Sequence, residues 1–86
     1  MNYITQEKII VDYCRKNIWI TQLDAFRLGI GRLASRIWDM EEKGYVIIRE
    51  RVKVTKADGT TAYVKRYSII RTPEGEKINE LGNAQM

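Results

Sequence analysis

The spacing of apolar residues predicts a helix at the start of the chain. Ile10, Tyr13 and Cys14 recur on one helical face behind Thr5, a residue type that caps helix N-termini by accepting a hydrogen bond from a first-turn amide. We therefore expect a first helix over residues 6–16, with Cys14 on its apolar side.

A second helix is predicted after a capping pattern. Thr21 and Asp24 are spaced so that the hydroxyl and the carboxylate can each bond to a backbone amide of the first turn. Leu23, Phe26 and Ile30 then recur at the spacing of an inward face, and the glycine before Ile30 supplies a stop. A very short turn leads from there into the next helical pattern.

The third helix is predicted over residues 31–43 and ends at Gly44, which suits a position that needs a positive φ. A helical wheel divides this helix into an apolar side, expected to face the core, and a polar side, expected to face solvent. The apolar side holds Leu33, Ala34, Ile37 and Met40, and the polar side holds Arg32, Ser35, Arg36, Asp39 and Lys43.

Two β-strands are predicted next, over residues 45–55 and 61–71, because both stretches are rich in valine, isoleucine and tyrosine. Asp58 and Gly59 lie between them and are a strong hairpin signal. A short apolar stretch around Trp19 can pair with a later segment as a brief additional strand.

This order of elements predicts an α+β fold of the winged helix-turn-helix type, in which three helices precede a two-stranded β-hairpin wing. The domain is expected over residues 1–71. Residues 72–86 begin with a weak helix-start pattern and end in a polar stretch, so we expect a polar, flexible C-terminal tail there.

The positive charge of the chain is concentrated in the predicted hairpin. The whole sequence has a formal net charge of +4. Residues 45–72 carry seven basic residues against two acidic ones, whereas residues 73–86 carry one lysine against three glutamates. A positive field localised in this way attracts polyanions such as nucleic acid.

The residue types present argue against catalysis. The sequence has no histidine and one cysteine, Cys14, which excludes a histidine general base, a His/Cys zinc site and an intrachain disulfide. Cys14 is expected to be a buried structural thiol. We therefore expect a protein that is not an enzyme, with no catalytic residue, metal, cofactor or small-molecule substrate.

The apolar runs of the sequence are short. None is long enough to cross a membrane, and the start of the chain lacks the pattern of a secretory signal. We expect a cytoplasmic protein without membrane contact.

The polar side of the third helix carries side chains that can read base edges in a DNA major groove. The planar fork of arginine donates two parallel hydrogen bonds to guanine, so Arg32 and Arg36 are the first candidates, with Ser35 beside them. Asp39 either accepts from a cytosine amino group or pairs with Arg36 or Lys43. The alternative for the whole stripe is an ordinary solvated helix face.

The cations of the predicted wing are candidates for contact with DNA phosphates. Basic residues alternate with others along the first strand, which places them on one face. Their alternative role is to keep exposed strand edges from aggregating. The start of the second helix can also hold a phosphate, although helix capping explains Thr21 equally well. The predicted backbone contacts are Thr21, Gln22, Lys43, Arg49, Arg51, Lys53, Lys56, Lys65 and Arg66.

Several short motifs resemble a family of small winged helix-turn-helix proteins of phages and prophages. Residues 20–26 and a Leu-Gly-Ile turn at residues 28–30 lead into the Arg-Leu-Ala sequence of residues 32–34. The helix leaves through Lys-Gly-Tyr at residues 43–45, and Lys-Arg-Tyr at residues 65–67 resembles a basic pair in the second wing strand. The resemblance spans most of the chain and implies DNA binding.

The end of the third helix departs from that family. Trp38 and the acidic residues after it are bulkier and more acidic than the residues usual there, which leaves Arg32, Ser35 and Arg36 as the better base-contact candidates. Trp38 itself is expected to pack against the hairpin as a structural residue, and contact with a partner is the less favoured alternative.

We interpret the chain as a non-enzymatic double-stranded DNA-binding protein of phage type, acting in transcription regulation or as an accessory factor in excision or replication. Residues 31–43 would enter the major groove and residues 45–71 would follow the backbone; a phage-encoded protein would act in the host cytosol. The alternative is a protein-interaction module, such as a phage inhibitor of a host protein. A homodimer is left open, because two-fold readers match palindromic sites.

Overall fold

Three helices and a three-stranded antiparallel sheet build the domain, and the computed structural model describes residues 3–80. The central strand of the sheet is the last in sequence, because the strand order is β1-β3-β2. This is the predicted α+β architecture, including the brief extra strand near Trp19. The elements in chain order are α1 (Tyr3–Asn17), β1 (Ile20–Thr21), α2 (Gln22–Arg27), α3 (Leu33–Glu42), β2 (Val46–Thr55) and β3 (Thr61–Arg71).

The helices differ from their predicted bounds at the ends. α1 begins at Tyr3, so Thr5 lies inside its first turn and is not the N-cap. α2 and α3 are shorter than predicted and are separated by residues 28–32. Gly44 follows α3 with φ of +105°, as its predicted position after the helix requires.

The core lies where the helices meet the base of the sheet. Every element except β2 supplies a fully buried side chain, and nearly all of these are aliphatic. Burying one such side chain stabilises the fold by about 1.5–3 kcal/mol. The buried set includes Ile10, Cys14, Ile20, Ala25, Ile30, Leu33, Ile37, Met40 and Ile69.

Three side chains hold the turn between α2 and α3. They are Thr21, the N-cap of α2, and Gln22 and Asp24 within α2. Thr21 and Asp24 form the predicted capping box, in which Asp24 Oδ2 accepts from the Thr21 amide at 3.0 Å and Thr21 Oγ1 accepts from the Asp24 amide at 3.3 Å. Gln22 Oε1 accepts from the amide of Leu33 at 2.9 Å, which satisfies one of the unpaired donors at the start of α3. Gln22 Nε2 donates to the Ile30 carbonyl at 3.4 Å. Gln22 therefore positions α3 relative to α2.

The wing, defined as β2, β3 and the turn at residues 56–60, extends well beyond the core. The turn closes through a hydrogen bond from the Lys56 amide to the Thr60 carbonyl at 2.8 Å, with Gly59 at φ of +89°. Asp58 Oδ1 accepts from both the amide and the hydroxyl of Thr60, and these bonds lower the pKa of the Asp58 carboxyl. The predicted Asp-Gly hairpin is thus confirmed.

Residues 72–80 pack back against the sheet, so the expected flexible tail does not describe them. The Ile78 amide donates to the Ile70 carbonyl at 2.7 Å, and Asn79 Nδ2 donates to the Ile69 carbonyl at 2.7 Å and to Ser68 Oγ at 2.8 Å. These bonds satisfy polar groups beside the central strand. Residues 81–86, the rest of the predicted tail, lie outside the described residues.

None of the helices within residues 3–80 has both the length and the apolar character needed to cross a membrane.

Candidate nucleic-acid interface

One face of the wing is strongly basic and continues the side of the sheet that covers the helices. The strand register pairs Arg51 with Lys65 and Lys53 with Tyr63, so these four side chains share a face. Further toward the base, the same face carries Tyr67, which is buried in the core. We call the exposed part, formed by Arg51, Lys53, Tyr63 and Lys65, the basic face.

Three cations that were predicted to contact phosphates form ion pairs with carboxylates of the same chain. Arg49 on β2 bonds to Glu41 of α3 at 2.6 Å. Arg66 bonds through Nε to Glu50 at 2.9 Å, and its guanidinium lies 4.0 Å from the ring centroid of Trp19. The Arg49–Glu41 pair ties the wing to α3, and the Arg66–Glu50 pair joins the two long strands of the wing; both reduce the positive charge that the arginines offer to a ligand.

Lys43 is the third of these ion-paired cations. Its ammonium lies 2.8 and 3.0 Å from the two carboxylate oxygens of Glu7 on α1, and Glu7 is buried. The hydrogen bond to Glu7 raises the pKa of the Lys43 ammonium. Lys43 therefore neutralises a buried carboxylate and joins α3 to α1.

Five wing cations have no carboxylate within ion-pair distance in the described part of the chain, and all five are exposed. Arg71 lies at the base of β3, and the other four, Arg51, Lys53, Lys56 and Lys65, lie toward the tip of the wing. Arg51 lies over the ring of Tyr63 at 5.2 Å, which keeps its charge in place above the basic face. These four cations are the part of the predicted backbone-contact set that can meet phosphates without breaking an existing ion pair.

The polar and apolar sides of α3 differ from the wheel prediction. Ala34, placed on the core side, is exposed, and Arg36, placed on the solvent side, is buried with 10% of its side chain accessible. The physical reason is that Arg36 lies three residues after Leu33 and four before Met40, so it shares the side that these two buried residues define. The prediction that Arg36 projects into solvent is wrong.

The other predicted base contacts differ in whether they are available to a ligand. Arg32 stands at the N-cap of α3 without a capping hydrogen bond from its side chain and is exposed, and Ser35 is half-buried. Asp39 pairs with Arg36 at 3.4 Å, which is one of its two predicted alternatives. Arg32 and Ser35 remain the side chains of this set that can approach a base edge.

The polar side chains at the start of α2 form hydrogen bonds within the domain. Thr21 forms the capping box, and the Gln22 amide bridges to α3. Of the two interpretations of Thr21, the structure shows helix capping.

The outward side of α3 is apolar and acidic. Trp38 is 63% exposed, so the prediction that it packs structurally against the hairpin is wrong. Glu42 follows it by one helical turn and is also exposed. A carboxylate is an unusual group on a helix face that meets phosphates, whereas an exposed tryptophan is typical of protein contacts.

A groove lies between the two short helices and the wing, with a volume of about 880 Å³. Leu23 and Phe26 of α2, which were predicted to face the core, line it and are 58% and 59% exposed. Sequence periodicity missed this surface because α2 has only six residues, and its inward face is met by Ala25. We call it the wing groove; its wall includes Leu23, Phe26, Ala34, Val54, Tyr63, Val64, Lys65 and Arg66.

Two candidate chemistries, a reactive thiol and a metal site, can be compared with the described residues. Burial raises the pKa of the Cys14 thiol to about 11, so the thiol is neutral at physiological pH and is a poor nucleophile. No cluster of three or more potential metal ligands occurs between residues 3 and 80.

A family model described as a winged helix-turn-helix domain matches residues 5–72, from the first turn of α1 to one residue past the end of β3. Neither the curated proteins nor the solved structures contain a significant match.

Proposed function

Because the chain belongs to the winged helix-turn-helix domain family, a class of DNA-binding domain, we propose that it binds double-stranded DNA without catalysing a reaction on it. The observation that carries this proposal is the set of four exposed wing cations, Arg51, Lys53, Lys56 and Lys65, which have no carboxylate partner in the described part of the chain. Cations of this kind release counterions from DNA when they neutralise phosphates.

The wing supplies affinity and α3 supplies limited base recognition in this proposal. Phosphate contacts orient a protein on the duplex but carry little sequence information, and sequence is read at base edges. Arg32 and Ser35 at the start of α3 are the side chains that can make such contacts. We therefore propose a protein with modest sequence preference and a strong dependence on salt.

The biological role that fits this activity is that of a transcriptional regulator or of an accessory factor in excision or replication. Such a role places the protein in the cytoplasm with DNA. A phage origin stays a proposal that rests on the resemblance of residues 20–45 and 65–67.

Fluorescence anisotropy with a labelled random-sequence duplex tests the proposal. We expect binding at low salt that weakens steeply as salt is added, with weaker dependence on duplex sequence. Selection of bound duplexes from a random pool would then give the preferred site and the half-site spacing. Absence of duplex binding at low salt would contradict the proposal.

A protein-interaction function is the second candidate, and the outward side of α3 favours it. Trp38 and Glu42 are exposed one turn apart on α3, and an exposed tryptophan is typical of side chains that dominate protein interfaces. A pull-down from nuclease-treated lysate, compared between the wild type and Trp38→Ala, tests this candidate. A stoichiometric protein retained only by the wild type, together with no affinity for DNA, would favour it.

A further inference from the structure

Two exposed apolar features lie next to each other on the domain. The first is Trp38 on α3, and the second is the wing groove, whose walls include Leu23, Phe26 and Tyr63 at 58%, 59% and 61% exposure. A soluble domain seldom leaves so much contiguous apolar surface in water unless another molecule covers it.

Within one molecule Trp38 does not fill the wing groove, whereas in a pair of molecules each Trp38 can fill the groove of the other. Ala34 of α3 lines the groove, and Trp38 follows four residues later, one turn further along the same side of the helix. Trp38 is not part of its own groove wall and stands beside it. A second copy related by a two-fold axis would place its Trp38 over this groove and receive this Trp38 in return.

The charges of the two features are complementary. Lys65 and Arg66 are on the groove wall, whereas Glu42 accompanies Trp38 one turn along α3. Two copies with a net charge of +4 each repel one another in most orientations. The orientation that brings Glu42 toward Lys65 is favourable, and neither residue has an ion pair among residues 3–80.

The composition of the groove argues for a protein occupant. Its wall contains leucine, valine and aromatic side chains, which gain free energy when an apolar group replaces water. Trp is one of the residue types enriched among the side chains that dominate binding at protein interfaces.

We propose that the wing groove receives Trp38 of a second copy of this chain, and that two copies form a symmetric dimer through two such contacts. The proposal does not depend on DNA binding. Lys65 lines the wing groove and is also one of the four cations proposed to meet phosphates, so the dimer and a duplex compete for it.

Sedimentation equilibrium of the full chain without DNA tests the proposal through a complementation experiment. The wild type is expected to dimerise, and Trp38→Ala and Leu23→Glu are each expected to raise the dimer dissociation constant by at least about 30-fold, because each removes both contacts. A mixture of the two variants should restore a heterodimer, because Trp38 of the Leu23→Glu chain meets the intact groove of the Trp38→Ala chain.

Val46→Glu is the matched control, since Val46 is an exposed apolar residue at the base of β2 that does not line the groove. It should dimerise as the wild type does. Both test positions are exposed, and circular dichroism would verify that the variants fold. A monomeric wild type across the micromolar range, or a mixture no more associated than its separate components, would overturn the proposal. Retention of a different protein by a monomeric wild type would assign the groove to that partner instead.

Discussion

The wing and α3 both belong to the predicted DNA-binding surface, but they differ in charge. Toward its tip, the wing carries four exposed cations without a carboxylate partner in the described chain, whereas α3 turns Arg36 inward and presents Trp38 and Glu42 outward. Because long-range attraction to DNA follows charge, the wing is expected to supply most of the affinity. The difference teaches that membership of a DNA-binding family does not determine which element of the domain binds the polyanion.

The ion pairs explain how this difference arises. Arg49, Arg66 and Lys43 each have a carboxylate partner on a neighbouring element. Toward the tip of the wing, Arg51, Lys53, Lys56 and Lys65 have none within residues 3–80. The ion pairs therefore separate cations that hold the fold together from cations that remain available to a ligand.

Removal of two wing charges is expected to give the largest effect on DNA binding. The double variant Lys53→Ala and Lys65→Ala should lose about 50-fold in duplex affinity at about 0.1 M salt, because each charge that meets a phosphate contributes about 0.9 to the salt exponent. Anisotropy titration measures this loss. The matched control, Lys8→Ala with Lys16→Ala, removes the same charge from exposed positions on α1 and should lose far less. Equal losses would show that only net charge matters.

The two arginines at the start of α3 should give opposite results. Arg36→Ala removes a buried side chain and the partner of Asp39, so the free energy of unfolding should fall by about 1–3 kcal/mol while the folded protein keeps its affinity within about twofold. Arg32→Ala should leave stability within about 0.5 kcal/mol and weaken binding to the preferred duplex by about 5-fold, the loss of a base contact worth about 1 kcal/mol. Urea denaturation and anisotropy distinguish the two. Loss of affinity in a folded Arg36→Ala variant would contradict the assignment.

The hairpin could be predicted closely from sequence, and the faces of α3 could not. Strand patterning and the Asp58-Gly59 turn act locally, so they determine the wing whatever surrounds it. The side of a short helix that faces the core depends on its packing partners. A wheel that counted Ala34 as a core residue rotated the predicted face and moved Arg36 to the wrong side. The spacing of Arg36 from Leu33 and Met40 was the signal that could have corrected it.

The ion-paired residues were also beyond sequence reasoning. Arg49 and Glu41 are eight residues apart, and Lys43 and Glu7 are thirty-six apart, so only the folded chain brings them together. Thr21 was different, because a capping box is local and its spacing appears in the sequence. The sequence predicts the positive charge of the wing, but it does not show which of the wing cations form ion pairs.

Gln22 allows the position of α3 to be changed without altering any charge on the wing. Gln22→Ala should lower stability by about 1–2 kcal/mol, because it leaves the Leu33 amide at the start of α3 without its acceptor. Gln22→Glu keeps an acceptor there, and a carboxylate is favourable at a helix N-terminus, so it should lose less. Thermal denaturation compares the two. If both variants lose the same stability, the bond to Leu33 does not position α3.

A substitution at Ile18 is expected to change stability the least and to leave DNA affinity unchanged, so it serves as a control for the comparison of the wing with α3. Its φ of +69° is unfavourable for a β-branched residue, and its side chain is 42% exposed. Ile18→Gly should therefore raise the free energy of unfolding by up to about 1 kcal/mol, as judged by urea denaturation. Duplex affinity should not change, because neither the wing nor α3 is altered. A destabilised variant would show that the exposed side chain contributes more than the backbone strain removes.

The salt dependence of duplex binding tests the central claim most directly. If Arg51, Lys53, Lys56 and Lys65 each neutralise a phosphate, the slope of log K against log salt is about −3.6 for the wild type and about −1.8 for the Lys53→Ala and Lys65→Ala double variant. Ser35→Ala on α3 should leave the slope at the wild-type value. A slope that stays unchanged when the wing lysines are removed, or that falls when α3 is altered instead, would contradict the assignment of DNA affinity to the wing.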